Sequence, residues 1–347
     1  MKNWISKIKR SEPENIDRSK YLRLDKNERV IDFNQFFLKR IKTKLNSFLI
    51  TSYPDIEKTK SLISKKYNIS KNSICLTAGS DFALRMCFEY FCNNNDKIIT
   101  IEPTFGMVEV YSKIFNLKNI KINYKRNLTL NLKKLYKSLS KNISMIIIAN
   151  PNSPTGTIIE PDVMKNIIVK TNKLKIPLII DEAYFGFYKK TYVKYIDKFN
   201  NLVVIRTFSK AFGLAGLRAG FIVCNKLISK NLFKFKPMYE ISSLSCLAIE
   251  TLLNNPKEVK RHIDMINDSK NFLIKELKKM NYEYINTFGN FFHINLKNKK
   301  KDFEKILKKN KILVRKGPGV KGYESFLRLS VGSTSQMKKI IKLLKTI

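Results

Sequence analysis

The segment Thr207-Phe208-Ser209-Lys210 follows the apolar run LVVIR (202–206) and leads through small residues to Arg218. A lysine at the mouth of a buried strand, set between hydroxyls, is either a snorkelling surface residue or a chemical one. Two other apolar runs end in groups of similar interest. SMIIIA (144–149) opens into Asn150-Pro151-Asn152-Ser153-Pro154-Thr155-Gly156, a rigid turn that presents Asn152. PLIID (177–181) ends in Asp181-Glu182-Ala183-Tyr184, and a carboxylate carried to a sheet edge needs a cationic or hydrogen-bonding partner. A further run, ICLT (74–77), leads into Ala78-Gly79-Ser80-Asp81 and a helix. There Gly79 permits a tight turn, and the first N–H groups of the helix form an anion site. Taken singly, each feature is an ordinary turn, cap or basic loop. Their order joins them: Asn152, Asp181 and Lys210 follow one another at intervals of 29 residues, with Tyr184 and Arg218 at fixed offsets.

The elements between them explain why strand ends matter. ICLT (74–77), KIITI (97–101), NIKINY (119–124), SMIIIA, PLIID, LVVIR and AGFIVC (219–224) alternate for the most part with helical patterns such as 80–92 and 161–174. That βαβ alternation predicts an α/β fold with a largely parallel sheet covered by helices on both faces. In such sheets ligands bind beyond the carboxyl ends of the strands. After residue 240 lysine-bearing helices over about 242–280 lead into the short strands FFHINL and FLRLSV, which reads as a smaller α+β domain. The expected division is an arm over 1–40 that joins the smaller domain, a large domain over 41–240 and the small domain over 241–347.

Composition narrows the function classes. The 347 residues hold 67 Lys and Arg against 28 Asp and Glu, a formal charge of +39. The excess is spread over every block of fifty residues, mostly as lysine, with no arginine-rich arm or aromatic-basic stripe of the kind that binds nucleic acid. A diffuse positive field does attract small phosphorylated molecules. Five scattered cysteines without a CxxC read as reduced core residues of a cytoplasmic protein. With two histidines, His262 and His293, neither a histidine metal site nor a Ser-His-Asp triad is expected. No segment reads as a signal peptide or a membrane span.

The motifs YPD (53–55), GSD (79–81), PTFGM (103–107), NPNSPTG (150–156), DEAY (181–184), SKAFGLAGLRAG (209–220) and, over 313–332, LVR and FLRLSVG resemble one family. The chain is similar, over about residues 20–335, to the fold-type I pyridoxal-phosphate (PLP) aminotransferases, and most of all to the histidinol-phosphate aminotransferase group. The resemblance implies a mainly parallel seven-stranded sheet flanked by helices, with a smaller α+β domain. It implies that Lys210 carries PLP covalently and shuttles a proton, that Asp181 pairs with the pyridine nitrogen, and that Asn152 and Tyr184 hydrogen-bond the ring's phenolic oxygen. Phe105 takes the stacking position. The phosphate rests on the N–H groups of Ser80 and Asp81 beyond Gly79, with Thr207, Ser209 and Arg218 around it. The resemblance further implies that Tyr53 reaches the phosphate of a neighbouring subunit, so that the active site needs a homodimer. Arg328 grips the substrate carboxylate, Arg315 helps to bind its phosphate, and Asn27 belongs to an arm, LDKNERV (24–30), that closes over it. That arm has Arg29-Val30 where the biosynthetic enzymes read Asn-Pro, and Phe105 stands where tyrosine is common. The implied reaction moves an amino group between L-glutamate/2-oxoglutarate and a small phosphate-bearing partner, by default histidinol phosphate/imidazole acetol phosphate. The alternatives are another phosphorylated ketone, such as dihydroxyacetone phosphate in surface-polysaccharide synthesis, or decarboxylation of threonine or serine phosphate. No nucleic-acid, membrane or metal partner is implied.

Overall fold

Short runs of isoleucine, valine and leucine form the centre of the molecule, as their length and β-branching dictate. The structure, a computed structural model, describes residues 3–8 and 15–347. Of the arm expected over 1–40, residues 1, 2 and 9–14 thus lie outside the described residues. The strands in chain order are β1 (Leu22–Arg23), β2 (Ile74–Thr77), β3 (Lys97–Glu102), β4 (Lys118–Asn123), β5 (Ile143–Ala149), β6 (Leu178–Asp181) and β7 (Leu202–Thr207). They continue as β8 (Gly220–Cys224), β9 (Tyr284–Asn286), β10 (Phe291–Asn295), β11 (Ile312–Leu313), β12 (Arg315–Lys316) and β13 (Phe326–Ser330). β2 to β8 form one seven-stranded sheet in the order β2-β8-β7-β6-β5-β3-β4. Pairing is parallel from β7 to β4, and β8 runs against both of its neighbours. The mainly parallel sheet read from the sequence is present, with β8 as the one reversed strand.

The central strands are apolar over most of their length because both of their faces are covered. Ile146, Ile148, Leu178, Ile180, Leu202 and Val204 pack on one side with Met164, Ile167 and Ile168 of the helix Pro161–Lys173. Met145, Ile147, Ile179, Val203 and Ile205 pack on the other with Ala83, Leu84, Cys87 and Phe88 of the helix Gly79–Phe91. Each such side chain, fully buried, contributes about 1.5–3 kcal/mol. The register sets strand ends side by side: Ala149, Asp181 and Ile205 are aligned, and so are Thr77, Gly220 and Thr207.

The second unit is a four-stranded antiparallel sheet in the order β12-β13-β10-β9, with the helices Pro256–Lys279, Lys300–Lys309 and Thr334–Leu344. Its core takes in Leu24 of the arm, and β1 pairs in parallel with β11. The helix Ser243–Asn254, which follows the change of texture at 240, buries Cys246, Ala248, Ile249 and Leu252 in the core of the large sheet. The lysine-bearing helix starts only at Pro256. The two units meet at the loop after β5. Phe288 donates its N–H to Gly156 O at 2.8 Å, and His293 Nε2 meets Pro154 O at 2.9 Å. All five cysteines are free and buried. No helix among the described residues is long and apolar enough to cross a membrane.

Gly156 has φ +77°, and a methyl group there would collide with the Thr287 side chain. Gly156→Ala combines a left-handed backbone penalty with overpacking. Its expected cost is about 2–4 kcal/mol, read as a lowered urea midpoint.

Candidate active site

The parallel strands deliver their last residues to one edge of the large sheet, and Asp181 stands at the middle of it. Its carboxyl is buried, and Oδ1 accepts the Ala183 N–H at 2.9 Å. Burial, reinforced by Glu182, pushes the Asp181 carboxyl up to about 7, against the opposing pull of the Ala183 N–H and the Lys210 ammonium. The neighbouring carboxylate is already neutralised. Glu182 receives Arg206 at 3.0 Å, the Thr191 hydroxyl and the Tyr192 N–H, while Arg206 lies on the rings of Phe185 and Tyr67.

Lys210 follows β7 on a tight turn closed by the Gly213 N–H donating to Lys210 O at 3.0 Å. Its Nζ donates to Lys26 O at 2.9 Å and Asn27 O at 3.1 Å, so the arm receives the amine. The Tyr184 ring lies 5.9 Å from the same Nζ. Asn27 holds φ +54°, a left-handed conformation that asparagine tolerates. Its Nδ2 donates to the Tyr184 hydroxyl at 2.8 Å, its N–H donates to Ser330 Oγ at 2.8 Å, and its carbonyl also accepts Asn290 Nδ2 at 3.0 Å. Asn290 and Ser330 were not singled out in the sequence. The signal available was a small polar residue at each end of an apolar strand pattern.

A second cluster lies where β2 and β7 end and β8 begins. The helix Gly79–Phe91 starts with no side-chain cap, so the N–H groups of its first turn, Ser80 and Asp81 included, point outward unmet within the helix. Gly79 has φ +82°, and a methyl group there would stand 3.0 Å from Arg218 Nη2. Arg218 Nη1 lies 3.5 Å from Ser209 Oγ, and the Ser209 N–H donates to Thr207 Oγ1 at 3.1 Å. Gly220 lets this helix start touch the strand, since a side chain would meet Ser80 N at 2.8 Å. Asp81 accepts the Tyr111 hydroxyl at 3.0 Å.

The other residues named from sequence fall into two groups. Asn152 is buried and donates to Pro103 O at 2.9 Å and Thr155 Oγ1 at 2.8 Å, leaving Oδ1 without a partner. Arg328 joins Asn27 and Tyr184: its Nη2 donates to Asp25 O at 3.1 Å, its Nε is buried without a partner, and burial lowers its pKa. Arg315 is exposed and sits across from Arg328 in register. Phe105, at the start of the helix Gly106–Ile114, is exposed. Tyr53 stands apart from the cluster within one chain. It is 76% exposed and stacks on Tyr239 with ring centroids 4.0 Å apart. Among the described residues no group of His, Cys, Asp and Glu is placed to hold a metal.

The family model described as aminotransferase class I and II matches residues 21–344. The histidinol-phosphate aminotransferase of Caldanaerobacter subterraneus is 33% identical, over 100% of this chain and 98% of that protein. Among solved structures, the Sinorhizobium meliloti histidinol-phosphate aminotransferase in complex with pyridoxal-5'-phosphate superposes with a TM-score of 0.87 at 17% identity, over 100% of this chain and 98% of that one. The L-threonine-O-3-phosphate decarboxylase of Porphyromonas gingivalis superposes with a TM-score of 0.77 at 20% identity, over 94% and 98%.

Because its folded pKa is raised, Asp181 keeps its proton in the fold after the unfolded chain has lost it. Stability of the ligand-free protein therefore falls as pH climbs from the ordinary 3.8 to about 7, and stays low above that. Asp181→Asn removes this loss. Thermal or urea unfolding at about pH 8 should show the ligand-free variant more stable by on the order of 2–4 kcal/mol, with the gain vanishing at acid pH.

Proposed function

This chain belongs to the class I and II aminotransferases, and on that premise we propose that it exchanges an amino group between L-glutamate/2-oxoglutarate and a small phosphate-bearing partner, by default histidinol phosphate/imidazole acetol phosphate. It is a pyridoxal-phosphate-dependent transaminase. The observation that carries the reading is a buried carboxylate, Asp181, beside the Lys210 amine at the strand ends that also hold an uncapped helix start.

The unmet groups of the site fit pyridoxal 5'-phosphate. Asp181 takes from a protonated pyridine nitrogen the cation that its burial calls for. The N–H groups of Ser80 and Asp81 beyond Gly79, with Arg218, Ser209 and Thr207, hold the phosphate dianion. We assign Asn152 and Tyr184 to the phenolic oxygen and Phe105 to the ring face. Once bound, the cofactor supplies a carbonyl that receives the amino group and a ring that withdraws electrons from the substrate Cα.

Lys210 removes the proton from Cα and later returns one, which requires an amine within direct reach. Before the cofactor is attached, the Lys26 and Asn27 carbonyls hold that amine. Arg328 binds the substrate carboxylate, for which its unpartnered Nε is available. Arg315, exposed beside it, meets the substrate phosphate, and the net charge of +39 draws phosphorylated molecules toward it. Asn27 belongs to the arm, residues 1–40, that we read as covering the substrate.

We read the active unit as a homodimer in the cytoplasm, an assignment that the five unpaired cysteines support. Tyr53 lies in an exposed apolar cluster with Phe48 and Ile50, 76% and 73% exposed, and with Met238 and Tyr239. A second copy seated there would bury them and bring Tyr53 to its neighbour's phosphate.

Adding L-glutamate without an acceptor to the purified holoenzyme should shift the visible absorption band of the cofactor and release 2-oxoglutarate. A band indifferent to glutamate, with carbon dioxide released from threonine or serine phosphate, would replace transamination by decarboxylation. Lys210→Ala should lose covalent attachment and turnover while keeping its fold, and substantial turnover would remove Lys210 from its role. Mixing Tyr53→Phe with Lys210→Ala subunits tests the shared site. If Tyr53 acts across the dimer, the mixed dimers carry one intact site and activity rises on mixing; if it acts within its own chain, none is intact.

A further inference from the structure

One buried ion pair has no part in the chemistry above. Arg29 of the arm and Glu258 of the helix Pro256–Lys279 meet at 2.6 Å, with side chains 2% and 0% exposed. Arg29 also donates to Ile31 O at 3.0 Å and Asp32 O at 2.9 Å, and lies over the Phe33 ring at 4.0 Å. Glu258 takes Arg261 as well, at 2.8 and 3.0 Å. A buried pair of this kind is a poor source of stability, because well-packed apolar residues of similar volume serve as well or better. Its neighbours suggest what else it does.

The stem of Arg29 occupies the space into which a side chain at Gly213 would point, and Gly213, at φ +75°, closes the turn that starts at Lys210. The same turn is held from the helix side. His262, one helical turn beyond Glu258, places Nδ1 2.9 Å from the carbonyl of Ala211. A carbonyl only accepts, so Nδ1 carries the proton, and burial keeps the ring neutral by lowering its pKa to about 4. On its other side Arg29 lies two residues beyond Asn27, whose carbonyl, with that of Lys26, accepts the Lys210 amine. One arginine therefore borders both the turn that projects the amine and the stretch of arm that receives it.

We propose that Arg29 and Glu258 form a positioning pair that fixes the Lys210 turn against the arm, so that the amine stands in reach of the substrate Cα. The inference rests on the reading of Lys210 as the proton-transferring amine. Neither residue touches substrate or cofactor in this assignment; both act through Gly213 and Asn27.

The test replaces the pair by an apolar one, Arg29→Met with Glu258→Leu, in the holoenzyme. Urea unfolding, the cofactor band and the single-turnover reaction with glutamate are then compared with wild type. The expected variant unfolds at or above the wild-type midpoint, keeps its band and its half-saturating glutamate concentration, and reacts at saturation on the order of 10²-fold more slowly. A variant that is stable and reacts at the wild-type rate overturns the proposal and leaves the pair as scaffold. Should the double variant fail to fold, Arg29→Lys, which keeps the charge but not the fork, decides. A slower saturated rate at unchanged affinity supports positioning, and a full rate overturns it. Failure of the underlying reading is visible separately, as a wild-type band that glutamate does not move.

Discussion

The rest of the site depends on a carboxylate placed where charge is unwelcome. Asp181 is the last residue of a central strand with helices over both faces, so no water stabilises its anion from either side. Of its anionic neighbours, Glu182 is committed to Arg206, which in turn lies between aromatic rings and offers Asp181 nothing. A cation supplied from outside the chain resolves this tension. On the assignment proposed above, the fold thus spends stability at one point to create selectivity for a positively charged ring atom. The strand order supplies the flanks, since β5 and β7 on either side of β6 lead to Asn152 and Lys210.

A second organising residue is Asn27. Its backbone N–H, backbone carbonyl and side-chain amide reach Ser330, Lys210, Asn290 and Tyr184, which belong to different parts of the fold. The arm is therefore a hydrogen-bonded member of the site, set in a left-handed kink. Any displacement of the arm removes acceptors from the Lys210 amine and a donor from Tyr184 at the same time.

Most of this was legible in the sequence where the signal was local. ICLT, SMIIIA, PLIID and LVVIR read as buried strands because nothing polar interrupts them, and the residues that follow are those found at the sheet edge. The reversal of β8 carried no local signature, since an apolar strand reads alike in both directions. The residue Arg29 was visible as a departure in LDKNERV, but its partner Glu258 lies 229 residues away, and an arginine among charged neighbours reads as surface. The helix Ser243–Asn254 followed the change in texture, yet its apolar face belongs to the large sheet, a matter of packing that periodicity does not assign. The helices Gln35–Lys44 and Ser47–Thr51 carried no clear pattern because Phe36, Leu38, Phe48 and Ile50 are exposed, while Phe37 and Ile41 of the first helix pack on the core.

The apolar cluster of Phe48, Ile50, Tyr53 and Met238 sits on a chain of formal charge +39. A second copy approaching that cluster meets long-range repulsion before it meets short-range apolar contact. Dissolved salt shortens the reach of the repulsion to about 8–10 Å at ordinary ionic strength and leaves the burial of rings and methyl groups intact. If this surface forms the homodimer proposed above, ionic strength favours its assembly, in contrast to interfaces built on ion pairs, which salt loosens.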